Sequence, residues 1–261
     1  MTGVRGKRVL VTGASRGVGY GVAKAFAAAG ADVVATGRNA GRLEKLKTEI
    51  EAGGGTAMIV AADLLSRDAA RGVARAAGEI DILINNAAIT HAPLNSALQE
   101  DDAGWDQQFA VNTIGPVTLM QALIPGMMRR GWGAVINISS IAAQRPSANL
   151  PHYAASKAAM EAASRAIAID VAAHGVSVNC IELGLTRTEA MDDMFALGFF
   201  GAAPSLEAVE RMNGPAGRAT QISEVAEFCL FLASDKTGTL TGTVIPLDAG
   251  TTAGTFVRRA V

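Results

Sequence analysis

The chain is 261 residues long, with 49% hydrophobic and 18% charged residues, which excludes a disordered tail protein and supplies apolar side chains for a substantial core. Lys and Arg total 23 against 24 Asp and Glu, a net charge of −1, so no basic excess marks a nucleic-acid binder. Two cysteines, Cys180 and Cys229, cannot build a disulfide framework and read as buried, reduced thiols of a cytoplasmic protein. The mean hydropathy is +0.26, yet the longest uncharged stretch, 107–128, is broken by Gln108, Asn112, Pro116, Gln121 and Pro125. That stretch does not read as a membrane span, which needs about 20 predominantly apolar residues. After Arg5, Lys7 and Arg8 only Val9-Leu10-Val11 precedes polar Thr12, too short for the apolar core of a secretory signal.

Strands are predicted over Arg8–Thr12, Asp32–Thr36, Thr56–Ala61, Ile82–Asn85, Ala134–Ser139, Ser177–Ile181 and Thr243–Leu247. Most are apolar throughout, as strands buried on both faces are. Between them, helical spacing predicts Gly17–Ala29, Ala40–Ala52, Arg67–Ala77, Gly104–Arg130, Pro151–His174 and Ser223–Ala233. In the second helix, Leu43, Leu46 and Ile50 form one apolar stripe among Glu and Lys. Repeated β-α alternation implies an α/β fold, a doubly wound, Rossmann-like parallel sheet of about seven strands with helices on both faces. No linker or repeat divides residues 1–261, which read as a single domain. The rhythm fails at 183–220, a segment rich in Gly, Met and Phe, and an insertion over about 185–220 with one or two short helices is expected to cover the site.

The first strand runs into Thr12-Gly13-Ala14-Ser15-Arg16-Gly17-Val18-Gly19. Small residues there let backbone N–H groups approach a phosphate, and the following helix N-terminus directs its dipole at the same anion. Tyr153-Ala-Ala-Ser-Lys157 places a phenol and an ammonium four residues apart on one helix face. A cation beside a phenol favours the phenolate, which suits Tyr153 to proton exchange with an alcohol or ketone. Ser140 directly follows the predicted strand Ala134–Ser139, thirteen residues before Tyr153, at the carboxyl ends of the strands where open α/β folds bind ligands. Asn112 stands inside a predicted helix, an unfavourable place for a side chain that competes with the backbone, and suggests a functional kink.

Thr-Gly-x3-Gly-x-Gly resembles the cofactor turn of the short-chain dehydrogenase/reductase family, and the further motifs follow in that family's order over about Lys7–Gly250. The resemblance implies that Asn112, Ser140, Tyr153 and Lys157 are catalytic, with Asn112 sustaining a water-linked proton relay. It implies that Gly13, Ser15, Arg16, Gly17, Val18 and Gly19 hold the cofactor phosphates. Asp63-Leu64 matches the pair that contacts adenine, and Asn85-Asn86-Ala87-Ala88 resembles the family's Asn-Asn-Ala-Gly, with Asn86 and Ala87 lining the cofactor. Leu183-Gly184 replaces the usual Pro-Gly, while Leu185 and Thr188 still fit carboxamide contacts. Asp248-Ala249-Gly250 stands where the family has Asp-Gly-Gly.

Cofactor choice is read at the end of the second strand. NAD enzymes place an acid there for the ribose 2′-hydroxyl, whereas this chain has Gly37 followed by Arg38. With Arg16 in the turn, two guanidinium groups can take a 2′-phosphate, and the expected cofactor is NADP(H). The expected activity is hydride transfer between NADP(H) and a secondary alcohol or its ketone. The alternatives are a dinucleotide-binding sensor or scaffold without turnover, and the same fold running enoyl reduction, dehydration or epimerisation.

Met191, Met194, Phe195, Leu197, Phe199 and Phe200 in the insertion suggest a mostly apolar substrate, with Glu189, Asp192 and Asp193 on its solvent face. Ala158, Ala159, Ala162, Ala163 and Ala166 leave room for a partner helix, so a homo-oligomer, a tetramer, is expected. No metal site is expected, because His91, His152 and His174 lack ligand spacing. His152, beside Tyr153, reads equally as pocket-lining or surface, and Trp105 and Trp132 read as packing residues.

Overall fold

The computed structural model describes residues 3–90, 98, 102–148 and 150–256. Seven strands form one parallel sheet in the order β3-β2-β1-β4-β5-β6-β7. They are β1 (Arg8–Thr12), β2 (Asp32–Gly37), β3 (Thr56–Ala61), β4 (Ile82–Asn85), β5 (Gly133–Ser140), β6 (Val176–Leu183) and β7 (Val244–Leu247). The apolar runs set these positions: side chains of β1 alternate between two buried layers. Val9 and Val11 pack with Phe26, Val22 and Leu230, while Leu10 packs with Leu83, Leu119, Leu123 and Met127. Full burial of such a side chain contributes about 1.5–3 kcal/mol, so a one-residue slip of the strand is strongly disfavoured. Strand order reverses between β1 and β4, which opens a crevice at the carboxyl ends of those strands.

Helices α1 (Gly17–Ala28), α2 (Ala40–Ala52) and α3 (Arg67–Ala77) follow the first three strands. Asn39 caps α2 by accepting from the Arg42 N–H at 2.9 Å, and Ser66 caps α3 by accepting from Ala69. The long helix expected over Gly104–Arg130 is divided. It begins as α4 (Asp102–Phe109), widens into a π-turn at Ala110–Ile114 and resumes as α5 (Gly115–Arg130). Pro116 has no N–H to donate to the Asn112 carbonyl, so the α-helical ladder fails there, and Asn112 is held by partners outside its own helix. Next come α6 (Pro151–Val171), with Pro151 in its first turn, and a 3-10 turn ending at His174. The irregular segment holds two short helices, α7 (Glu189–Ala196) and α8 (Leu206–Asn213), and then α9 (Ile222–Leu232) returns to the sheet. Met191, Val209 and Ala219 give the inserted helices a small core of their own. Among the described residues no helix is long and apolar enough to cross a membrane.

Candidate active site

A cleft of about 600 Å³ opens at the switch point. Its floor is the glycine turn between β1 and α1. Gly13 has φ +67°, and a Cβ there would sit 2.8 Å from the Ala87 Cα, so no side chain fits. Arg16 occupies the N-cap of α1 without a side-chain hydrogen bond to the helix, which leaves the first-turn N–H groups available to an anion. The motif after β4 fixes this turn. Asn86 Nδ2 donates to the Thr12 carbonyl at 2.9 Å and to that of Gly13 at 3.3 Å, and Thr12 Oγ1 accepts from the Asn86 and Ala87 N–H groups. Ala88 in place of glycine lines the cleft without disturbing these bonds.

Gly13, Ser15, Arg16, Gly17, Val18, Arg38, Asp63, Leu64, Asn86, Ala87, Gly184, Leu185 and Thr188 all line the cleft, as do Ser140, Tyr153 and Lys157. Gly19 does not; it lies beneath the turn, packed against Gly13 and Asn86. Asp63 leaves the capping of α3 to Ser66, so its carboxylate is not engaged as the helix cap. Gly184 is bound through its N–H to the Leu247 carbonyl at 3.2 Å and lies close against Asp248, which positions the turn despite Leu183 in place of proline.

Ser140 ends β5 and lines the cleft together with Tyr153 on α6, near enough for its hydroxyl to act on the Tyr153 hydroxyl. Lys157, one turn further, is buried and donates from Nζ to the Ile138 carbonyl at 2.7 Å; Nζ lies 5.9 Å from the Tyr153 ring centroid. Burial pushes the Tyr153 hydroxyl above its usual value, and the nearby Ser140 hydroxyl pulls the other way. The lysine is expected to lower the phenol; here the shift is upward, with burial its largest cause. Burial also lowers Lys157 to about 8, with Cys180 and Glu161 opposing the shift.

Asn112 lines no part of the cleft. It is fully buried, and its amide is engaged by Ile89, Gln108 and Ser156, which ties the π-turn to the end of β4 and to α6. His152 is also fully buried, packed at a ring distance of 6.0 Å from Trp105, and is neither in the cleft nor at the surface. Trp105 stacks on Phe109, and the Lys7 ammonium sits 3.9 Å from the Trp132 ring, so both tryptophans pack. Cys180 and Cys229 are buried free thiols. His91 lies outside the described residues, and among those described no three His, Cys, Asp or Glu side chains gather as a metal site.

In the insertion, Met194, Phe199 and Phe200 face the cleft, whereas Phe195 packs against the lid's own core. Asp193 and Glu189 do more than mark the solvent face: they pair with Arg16 and Arg42. Arg42 carried no motif, since its partner lies 147 residues away. Behind Ser140 lies a second unforeseen group. Ser139 donates to the buried Glu161 carboxyl, and Glu182, opposite Ser139 in the β5–β6 ladder, accepts from Gln144 Nε2. The Tyr153, Lys157 and Glu161 spacing puts the last on the same helix face, a signal visible in hindsight.

Comparison with known proteins places this geometry. Residues 13–252 match the family described as Enoyl-(Acyl carrier protein) reductase. Gluconate 5-dehydrogenase of Gluconobacter oxydans is 35% identical over 95% of this chain and 95% of its own. A 3-oxoacyl (acyl-carrier-protein) reductase from Agrobacterium tumefaciens C58, solved with NADP bound, superposes with a TM-score of 0.87 at 33% identity, covering 95% of each chain. L-sorbose reductase from Gluconobacter frateurii, complexed with NADPH and L-sorbose, superposes with a TM-score of 0.89 at 29% identity, covering 96% of this chain and 98% of its own. With the glycine turn, the Ser140–Tyr153–Lys157 constellation and this coverage, the chain belongs to the short-chain dehydrogenase/reductase family.

Proposed function

We propose that this protein is an NADP(H)-dependent oxidoreductase that moves a hydride between the nicotinamide and a secondary alcohol or its ketone. The observation that carries the reading is that Ser140, Tyr153 and the buried Lys157 line one cleft, the one that the glycine turn floors.

The cleft fits the cofactor. The uncapped N-terminus of α1 and the bare Gly13 turn suit a diphosphate, Asp63 and Leu64 stand where adenine would bind, and Arg16 and Arg38 would receive a 2′-phosphate. Gly184, Leu185 and Thr188 would hold the carboxamide. Bound there, NADP(H) supplies or accepts the hydride at the substrate carbon.

The chain's own residues manage the oxygen and its proton. Ser140 donates a hydrogen bond to the substrate oxygen and holds it beside Tyr153. Because burial keeps the phenol protonated at neutral pH, Tyr153 acts as general acid as that oxygen gains charge, a contribution of roughly 10²–10⁴-fold. Lys157, which titrates near 8, is poised to return the proton. Pro116 has no N–H to donate to the Asn112 carbonyl, to which we assign the water of the relay, while the Asn112 side chain ties the π-turn to Ile89 and Ser156.

Met194, Phe199 and Phe200 on the lid wall favour a mostly apolar substrate, and the lid over 185–220 completes one domain of 1–261. We read the assembly as a homotetramer built on α5 and α6. Ala155, Ala159, Ala162, Ala166 and Ile169 follow one stripe of α6, and Ile169 is 81% exposed. Two buried free thiols accord with a cytoplasmic setting.

The test is Tyr153→Phe, assayed with saturating NADPH against a panel of bulky apolar ketones, ketoses and small keto acids, following oxidation of the reduced nicotinamide. A variant keeping more than about a tenth of wild-type kcat overturns the acid role, since about 10²-fold or more should be lost. Turnover confined to small charged keto acids, or in the reverse direction with NADP+ to the matching hydroxy acids, overturns the apolar substrate.

A further inference from the structure

Two ion pairs tie α7 to the starts of α1 and α2 at the cofactor cleft. Arg16, at the start of α1, reaches Asp193 at 3.0 Å, and Arg42, in the first turn of α2, reaches Glu189 at 3.0 Å. The two acids lie four residues apart and so share one face of α7. Arg16 lines one wall of the cleft, and Ala190 and Met194, on the same helix as the acids, line the other. Between these walls lies Gly37, where no carboxylate guards the ribose.

We propose that Glu189 and Asp193 are specificity-determining residues that latch α7 across the cleft until a 2′-phosphate displaces them, so that NADP(H), and not NAD(H), frees the lid. The inference rests on the NADP(H) reading and adds the coupling between that cofactor and the lid. Asp193 neutralises Arg16, one of the two guanidinium groups that would take the 2′-phosphate, so carboxylate and phosphate compete for one place, while Glu189 adds to the hold on α7 through Arg42. The four side chains are 39–59% exposed, and exposed pairs of this kind shift an equilibrium by a factor of only about 1.5–5 each. A latch of that strength yields to a phosphate held by charge-assisted bonds, yet NAD(H), with a neutral hydroxyl there, has nothing to offer either arginine. Coupling is reciprocal, so whatever holds α7 down weakens 2′-phosphate binding by the same factor.

Adenosine 2′,5′-bisphosphate and adenosine 5′-monophosphate test this, because neither carries a nicotinamide that could touch the lid. Calorimetric titration of the Glu189→Gln/Asp193→Asn variant should give about three- to tenfold tighter binding of the bisphosphate than wild type, with the monophosphate unchanged. Hydrogen exchange across 189–200 should quicken in wild type with the bisphosphate and not with the monophosphate. In the variant it should be fast without ligand. Arg42→Gln should also quicken exchange without ligand and tighten the bisphosphate by about 1.5–5-fold, the share of one pair. Wild type binding both nucleotides equally overturns the cofactor reading itself. A wild-type preference for the bisphosphate that the double variant leaves unaltered, with exchange over 189–200 indifferent to either ligand, overturns the latch alone.

Discussion

Asn112 and Ile89 exchange two hydrogen bonds. The Ile89 N–H donates to Asn112 Oδ1 at 2.9 Å, and Asn112 Nδ2 donates back to the Ile89 carbonyl at 3.2 Å. The same Nδ2 reaches Gln108 Oε1 and Ser156 Oγ, so one buried amide joins the end of β4, the π-turn and α6. Asn112→Ala would leave the Ile89 amide without this partner and open a cavity. Unfolding in urea should show a loss of about 2–4 kcal/mol. NADPH binding should survive at temperatures where the variant is folded, while kcat falls, because the π-turn no longer presents its carbonyl. A variant with wild-type kcat would show that the amide is purely structural.

Asp248-Ala249-Gly250 carries strain at a known place. Ala249 has φ +57°, the only described non-glycine residue in the left-handed region, held there while Asp248 accepts from Gly250 and Thr252 N–H groups. A left-handed alanine costs roughly 1–2 kcal/mol, partly offset by the greater chain entropy that glycine loses on folding. Ala249→Gly should therefore raise stability by about 0.5–1 kcal/mol with cofactor binding intact. An unchanged or lower melting temperature would count against the strain.

Glu161 makes stability pH-dependent. Its carboxyl is 6% exposed and bonded by Ser139; burial, and then repulsion from Glu182, pushes it up to about 7, against the pull of Arg165. Lys157 and Cys180 also border it. The folded protein thus holds a proton between pH 4.5 and 7 that the unfolded chain has lost. Stability contributed by this group falls as pH rises through that window and levels off above it, by on the order of 2–3 kcal/mol. Glu161→Gln carries no such proton, so its stability should gain on wild type from pH 4.5 to 7 and run parallel above. Parallel curves across the whole window would falsify this assignment.

Arg38 pairs with no carboxylate among the described residues and lines the cleft beside Gly37. A charge-assisted contact contributes about 1.5–3 kcal/mol, or roughly 10–150-fold in affinity. Arg38→Leu should weaken NADPH by that factor while NADH changes little. Equal kcat/KM of the wild-type enzyme for the two cofactors would remove the basis for the prediction.

The order of elements was legible in the amino-acid sequence because each depends on neighbours in the chain. An apolar run such as Val9-Leu10-Val11 must be buried on both faces, and a glycine turn followed by a helix must face an anion wherever it lies. Tyr153 and Lys157 were legible for the same reason, since a helix alone puts them on one face. Ser140 followed from the end of its strand. Tertiary structure decided what depends on partners far along the chain. The π-turn needs Ile89 and Ser156, which lie 23 and 44 residues from Asn112. Arg16 meets Asp193 across 177 residues, and no local pattern foretells that pair. The desolvation that raises Tyr153, lowers Lys157 and raises Glu161 likewise exists only once α6 covers β5 and β6. Periodicity and turn chemistry are local and can be read in one dimension; burial, and the proton affinities it sets, belong to the packed chain.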